Sequence, residues 1–268
     1  MRGLLSRYAG RIKIRSRKQS SGVITTIDHV IYLDNYSSTI SLHYILTSTE
    51  LDVPPVHACI PTIGLSQDLD GIVEYLRHKI PIVELYVNSP EVPDHVGVYE
   101  AHKNVYVYHR PGENIYHEWN EGAQRASEAG AYCLVLNDDI VIPNGFEISL
   151  HDALDGHPDY ALLGVAGTSA ANQSPFSVSP VSHQAGNRYL FSAWAFIARS
   201  SDWVGVDEQY EIWYGDDDLI WKTNAAGKRV GMLHGLGVEH HVSTTIGQSP
   251  WTQAAAGRDG ERWLATHR

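Results

Sequence analysis

A chain of 268 residues with 43% apolar content can bury one large core, or one domain with an appendage, while two full domains would be cramped. Its formal charge of −11 is unevenly spread: Arg2, Arg7, Arg11, Lys13, Arg15, Arg17 and Lys18 put +7 into an acid-free start and leave −18 on the rest. So acidic a body repels polyanions, which excludes generic nucleic-acid binding by it unless a divalent cation or a basic groove intervenes.

In chain order, the basic arm comes first and reads as a solvated tail or as a surface-docking arm. Within Met1 to Lys18 only Gly3-Leu4-Leu5 is apolar, too short for the core of a signal peptide, and no later stretch approaches the eighteen apolar residues of a membrane span. A protein without a transmembrane segment, in the cytoplasm, is expected. From Gly22 to Leu51, Ile, Val, Thr, Tyr and Ser alternate loosely, which predicts two or three strands. Asp52-Val53-Pro54-Pro55 breaks any regular element and marks a boundary, so 1–53 is read as arm plus β-rich extension and 54–268 as the main domain.

Beyond the boundary, strands alternate with helices. Val56 to Ile60 reads as a buried strand, Ser66 to Lys79 as a helix capped by Ser66, and Ile82 to Val87 as the next strand. A strand over Asn104 to His109, a helix over Ile115 to Ala129 and the apolar strand Tyr132 to Leu136 follow. Such alternation implies an α/β fold with a mostly parallel sheet and helices on both faces. The second half is less regular: a polar loop from Thr168 to Asn187, a strand from Tyr189 to Ala198, a helix from about Asp217 to Ala226, and strands near Val230 and Val238. Cys59 and Cys133, the only cysteines, each fall in an apolar strand, which suits reduced, packed thiols.

Ligands of such sheets gather at the carboxyl ends of the strands. Asn137-Asp138-Asp139 stands at one of these ends, where two adjacent acids either cap a turn or share a hard cation such as Mn²⁺ or Mg²⁺ that can also hold a diphosphate. A second run, Asp216-Asp217-Asp218, opens a helix, where acids can serve as ordinary caps or as a general base.

Taken in order, Ala58-Cys59-Ile60-Pro61-Thr62, Val87-Asn88-Ser89-Pro90, Trp119-Asn120-Glu121-Gly122 and Leu136-Asn137-Asp138-Asp139-Ile140-Val141 resemble the nucleotide-binding half of family 2 glycosyltransferases of the GT-A (Rossmann-like) fold. Val206-Asp207-Glu208-Gln209-Tyr210, Gly215-Asp216-Asp217-Asp218-Leu219, Ala226-Gly227-Lys228-Arg229-Val230 and Val238-Glu239-His240 are similar to its acceptor half. The resemblance spans about Val56 to His241 and divides the domain into a nucleotide-sugar half (54–143), an acceptor half (144–245) and a C-terminal tail (246–268). It implies that Pro61 and Thr62 line the nucleoside pocket, that Asn88 reads the base, and that Asn120 lies near the ribose and diphosphate. It implies further that Asp138 holds the nucleotide-sugar, a UDP-sugar before others, and that Asp139 and His240 bind the metal, with His241 as the alternative ligand. Asp216 is implied as the base, with Asp217 as fallback. Trp194, Trp213 and Tyr214 are candidates to stack on the acceptor, although packing is the commoner role of any one aromatic.

Two departures bear on the chemistry. Asn88 stands where the family commonly has an acid, and Asn137 replaces the first acid of its cluster, so the preferred base could differ from uracil. In the second cluster Gly215 stands in place of the usual first acid. The expected activity is metal-dependent, inverting transfer of a sugar from a nucleotide-sugar to a saccharide or protein hydroxyl. Glycosylation of a hydroxylated base in phage-type DNA, prompted by the arm, and a non-catalytic binding module of the same fold are the alternatives. A nucleotidyltransferase would need a Gly-rich basic loop after the first strand, and Ile63-Gly64-Leu65-Ser66-Gln67-Asp68 has one Gly and no base.

Overall fold

The computed structural model describes residues 24–31, 40–47, 54–166, 176–181, 189, 191, 193–241 and 250–267. The basic arm lies outside them. The chain divides into two compact units, Met1–Val53 and Pro54–Arg268. In the first, β1 (Ile24–Ile31) and β2 (Ile40–Thr47) form an antiparallel pair from Ile24 opposite Thr47 to Ile31 opposite Ile40.

The second unit opens with β3 (Val56–Thr62), α1 (Leu69–Leu76), β4 (Ile82–Val87), the short helix α2 (Asp94–Gly97), β5 (Val105–His109), α3 (Ile115–Glu128) and β6 (Tyr132–Leu136). It continues through β7 (Ile140–Val141), α4 (Phe146–Asp155), β8 (Tyr160–Val165), β9 (Ser177–Pro180), β10 (Ala195–Arg199), α5 (Gly215–Ala225), β11 (Arg229–His234), β12 (Glu239–His240) and α6 (Pro250–Thr266). Eight strands make one sheet in the order β5-β4-β3-β6-β10-β8-β11-β9, and β12 pairs with β7 beside it. The pairs β5–β4, β4–β3, β3–β6 and β8–β11 are parallel, while β10 runs antiparallel between β6 and β8, and β9 is an antiparallel edge.

All seven residues of β3 are buried because both faces of the sheet are covered. Ala58 and Ile60 point into a core shared with Leu69, Ile72, Val73 and Leu76 of α1 and Phe146, Leu150 and Leu154 of α4. Cys59 points the other way, into a core with Tyr116, Trp119, Ala123 and Ala126 of α3, Leu219 and Ile220 of α5, and Trp263 of α6. Gly122 allows α3 to lie close: a Cβ there would stand 2.8 Å from both Cβ and Sγ of Cys59. The glycine of the Trp-Asn-Glu-Gly stretch therefore serves packing. Both thiols are free and buried, and burial holds them protonated, with pKa values raised above the ordinary range.

Several expected boundaries shift. The helix expected from Ser66 starts at Leu69 with Asp68 at its N-cap, and the Ser66 hydroxyl instead accepts the Asp68 amide at 3.2 Å, closing the turn that precedes it. The strand expected from Tyr189 begins only at Ala195. The expected polar loop includes the edge strand β9, and most of its remainder falls outside the described residues. The supposed C-terminal tail contains a 17-residue helix, α6. Among the described residues, no helix is long and apolar enough to cross a membrane.

Candidate active site

The ends of β3 and β6 build the first half of the site. Thr62, the last residue of β3, donates its hydroxyl to Asp138 Oδ2 and accepts the Gly64 amide at 2.7 Å. Past the end of β6, the Asn137 amide donates to the Trp194 carbonyl at 2.7 Å, which anchors the turn carrying Asp138 and Asp139. Burial raises the Asp138 carboxyl to about 6; the Thr62 hydrogen bond opposes that shift and the Asp139 charge adds to it. Pro61 is buried in β3 opposite Tyr86.

The short β7–β12 pairing sets Ile140 opposite His240 and so carries the imidazole to the carboxylate. His240 Nε2 lies 3.2 Å from Asp139 Oδ1; both atoms are buried, and neither has a hydrogen-bond partner. An imidazole nitrogen and a carboxylate oxygen left facing each other in this way fit a divalent cation. Among the described residues, no group of three or more His, Cys, Asp or Glu is arranged to hold a metal, so further ligands would come from phosphate and water, as is usual for Mg²⁺ in nucleotide sites. His241 faces away, with Nδ1 2.7 Å from Asp68 Oδ2 on the β3–α1 loop. Of the two histidines, the geometry favours His240.

Trp194 is buried and stacks on His240, with ring centroids 5.1 Å apart and planes at 14°. That contact makes it a wall behind the imidazole. Asn120 is held from both sides: its Nδ2 donates to the Val206 carbonyl and Glu208 Oε1, both at 2.9 Å, while Oδ1 accepts the Trp203 indole at 3.0 Å and the Val206 amide at 2.9 Å. Its donors and acceptor brace the 203–208 segment against α3. Asn88, just past β4, donates to Glu118 Oε2 at 3.3 Å and keeps a buried Oδ1 without a partner. Glu118 itself is fully buried, and burial pushes its carboxyl up to about 9.

The second half surrounds the start of α5. Gly215 packs against the ring of Tyr116, which an added Cβ would meet at 2.2 Å, and its amide donates to the Tyr116 hydroxyl at 3.3 Å. A side chain at this position would have to displace the Tyr116 ring. The three aspartates then diverge. Asp217 is buried and its Oδ1 accepts the Tyr189 amide at 2.7 Å. Asp218 is also buried, accepting the Asp207 amide and meeting Lys222 Nζ, both at 2.8 Å. Asp216 alone of the three is partly exposed, with Oδ1 taking the Asp217 amide at 3.0 Å. That arrangement argues for Asp216 and against Asp217 as a group that meets a substrate.

The two halves are tied together through the chain itself. Tyr189 is bonded to Asp217, and Trp194 is bonded to the Asn137 turn and stacked on His240. Five peptide steps separate these residues, so their Cα atoms lie at most about 18 Å apart.

Tyr214, which precedes α5, has φ 66°, making it the only non-glycine with a positive φ among the described residues. Such a conformation costs about 1–3 kcal/mol and persists where neighbours enforce it. Here Tyr214 stacks on Trp263 of α6 at 5.9 Å, and Trp213 donates its indole N–H to the Thr252 carbonyl at 3.0 Å. Asp68, Glu118, Tyr189 and the α6 residues carry no signal in the sequence pattern that marks them as part of the site.

No protein-family model matches this chain, and no curated protein matches its sequence. Solved structures do match. S. aureus TarS 1-349 in complex with UDP aligns with 69% of this chain at 15% identity and a TM-score of 0.50, and the match covers 59% of that protein. A mannosyltransferase from Pyrobaculum calidifontis, in complex with GDP-Man and Mn²⁺, aligns with 81% of this chain at 12% identity and a TM-score of 0.50, and the match covers 73% of that protein. The chain thus spans somewhat under two thirds of the TarS fragment. With the sheet order above, these likenesses show that the fold is GT-A.

Proposed function

We propose that this chain is a metal-dependent, inverting glycosyltransferase that moves a sugar from a nucleotide-sugar to an acceptor hydroxyl. The observation that carries the reading is the buried pair of Asp139 Oδ1 and His240 Nε2, 3.2 Å apart and neither with a hydrogen-bond partner, at the carboxyl edge of the sheet. The two solved neighbours were found with UDP and with GDP-Man and Mn²⁺, the ligand classes that such a pair would serve.

In this reading Asp139 and His240 would hold Mn²⁺ or Mg²⁺, and the ion would supply positive charge to the diphosphate. Thr62 and Asp138 bind the nucleotide-sugar beside it, and Pro61 lines the nucleoside pocket. Asn88 offers the free Oδ1 to a base N–H, as uracil would present, so a UDP-sugar is the proposed donor. Asp216 accepts the proton of the acceptor hydroxyl as its oxygen bonds to the anomeric carbon; the bond from that carbon to the diphosphate breaks, and the nucleoside diphosphate leaves. A single displacement inverts the anomeric centre. Trp213 and Tyr214, both half-buried next to Asp216, line the acceptor side, where a saccharide or protein hydroxyl is the proposed substrate. The free, buried thiols suit a cytoplasmic setting.

Transfer or hydrolysis of sugar nucleotides is the direct test, run with Mn²⁺ and with EDTA. Asp139→Ala should lose activity and metal dependence together. Asp216→Asn should lower kcat about 10²–10⁴-fold while the donor still binds. Full activity in both variants would sink the proposal.

A further inference from the structure

Between Tyr210 and α5, the chain makes few backbone hydrogen bonds of its own, yet it must present Asp216 in one fixed position. The C-terminal helix supplies what is missing. On α6 and just beyond it, Thr252, Ala255, Asp259, Trp263 and His267 are the buried positions, three or four residues apart as one helix face requires. Four of them grip the segment from Glu211 to Asp218. The Thr252 carbonyl takes the Trp213 indole N–H; Trp263 stacks on Tyr214; and His267 Nε2 lies 3.3 Å from Asp218 Oδ1.

Asp259 makes the central contact. Its carboxylate accepts the Glu211 amide at 3.0 Å (Oδ1) and 3.1 Å (Oδ2), the Ile212 amide at 3.1 Å and the Trp213 amide at 2.9 Å. Three consecutive N–H groups converging on one anion form a backbone nest, here filled by the protein's own side chain. Asp259 is ten residues into a 17-residue helix, so it caps nothing in α6, and at 1% exposure its charge relies on these amides. Gly260 beside it lies close to the same segment, since a Cβ there would stand 3.3 Å from the Tyr214 hydroxyl.

We propose that α6 acts as a clamp that holds Glu211–Tyr214 in the conformation presenting Asp216, with Asp259 as its positioning residue. This rests on the reading of Asp216 as base. It assigns the C-terminal helix to the acceptor side of the site and leaves the donor side to the β3 and β6 ends. A positioning role differs from a merely stabilising one in what it leaves intact: donor and metal binding should survive loss of Asp259, while transfer should not.

The test compares Asp259→Ala and Asp259→Asn with the unaltered full chain. Three readouts are taken: hydrogen exchange of the Glu211, Ile212 and Trp213 amides, Mn²⁺-dependent binding of UDP, and steady-state transfer. Asp259→Ala should speed exchange of those amides at least tenfold and lower kcat 10–100-fold, with UDP affinity and donor KM within about twofold. Asp259→Asn keeps one acceptor oxygen and should recover part of the protection and part of kcat in step. Unchanged exchange of the three amides in both variants, or UDP affinity falling in parallel with kcat in both, would overturn the clamp. If the unaltered chain transfers nothing, the glycosyltransferase reading fails, and amide exchange still decides whether Asp259 holds the segment.

Discussion

Glu118 is fully buried, and its carboxyl is pushed up to about 9 by burial, so the folded protein keeps a proton that the unfolded chain releases near the ordinary value of 4.5. A raised folded-state pKa means stability that is fully present below about 4.5 and is lost progressively as pH rises to about 9. The loss amounts to about 1.4 kcal/mol per pH unit across that window. Glu118→Gln should remove this slope, so its urea midpoint relative to the parent should improve steadily from pH 5 to pH 8. Parallel midpoints across that range would show that Glu118 ionises freely in the fold. At the residue scale, the sequence discloses carboxylates unevenly, for a physical reason. Asp138 and Asp139 are legible because an apolar strand ends immediately before them, and strand ends collect ligands. Glu118 is written like any helix-surface glutamate, and only the packing of α3 onto β3 and β6 reveals its burial. Asp259 is likewise indistinguishable from an exposed helical acid until the Glu211–Trp213 amides turn toward it.

At the scale of elements, α5 shows how packing overrules a motif. The family pattern asks for an acid at position 215, and the sequence has Gly215. Restoring the pattern with Gly215→Asp should lower activity and destabilise the fold by about 1–3 kcal/mol, because the new Cβ falls 2.2 Å from the Tyr116 ring, itself fixed in the core between α3 and α5. Thermal denaturation and transfer assays on the variant check both effects. A gain in activity would mean that Tyr116 yields easily and that the missing acid was a functional loss. The parallel strands β3, β4, β5 and β6 were legible as apolar runs between helical patterns. β10 was legible as a strand, expected over Tyr189 to Ala198, but its antiparallel place between β6 and β8 was not, because that pairing is set by long-range contacts rather than by local sequence. α4 was not among the expected helices, although its buried Phe146, Leu150 and Leu154 stand four apart. α6 hid itself, since Gly257 and Gly260 lower its intrinsic helix propensity and its buried face carries Asp259, Trp263 and His267 instead of aliphatic residues.

For the whole molecule, the proposed donor residues Thr62, Asn88, Asp138, Asp139 and His240 all belong to the unit Pro54–Arg268, and none comes from Met1–Val53. Donor binding should therefore be a property of the larger unit. Because a ligand that binds only the folded state stabilises it by mass action, a sugar nucleotide at about 100 times its Kd should add about 2.7 kcal/mol. For a domain of this size, that corresponds to a rise in Tm of about 5–10 °C. A panel of UDP- and GDP-sugars with Mn²⁺ should give this rise for its preferred member, EDTA should abolish it, and a chain starting at Pro54 should show the same ranking. The Asn88 amide makes the ranking informative: its Oδ1 accepts and its Nδ2 is already drawn to Glu118, so a base presenting an N–H should be preferred over one presenting only acceptors at that edge. Stabilisation that is indifferent to the metal would instead detach nucleotide binding from Asp139 and His240. The facing pair at the sheet edge would then be a structural contact, and Asp138 with Thr62 would carry the ligand alone.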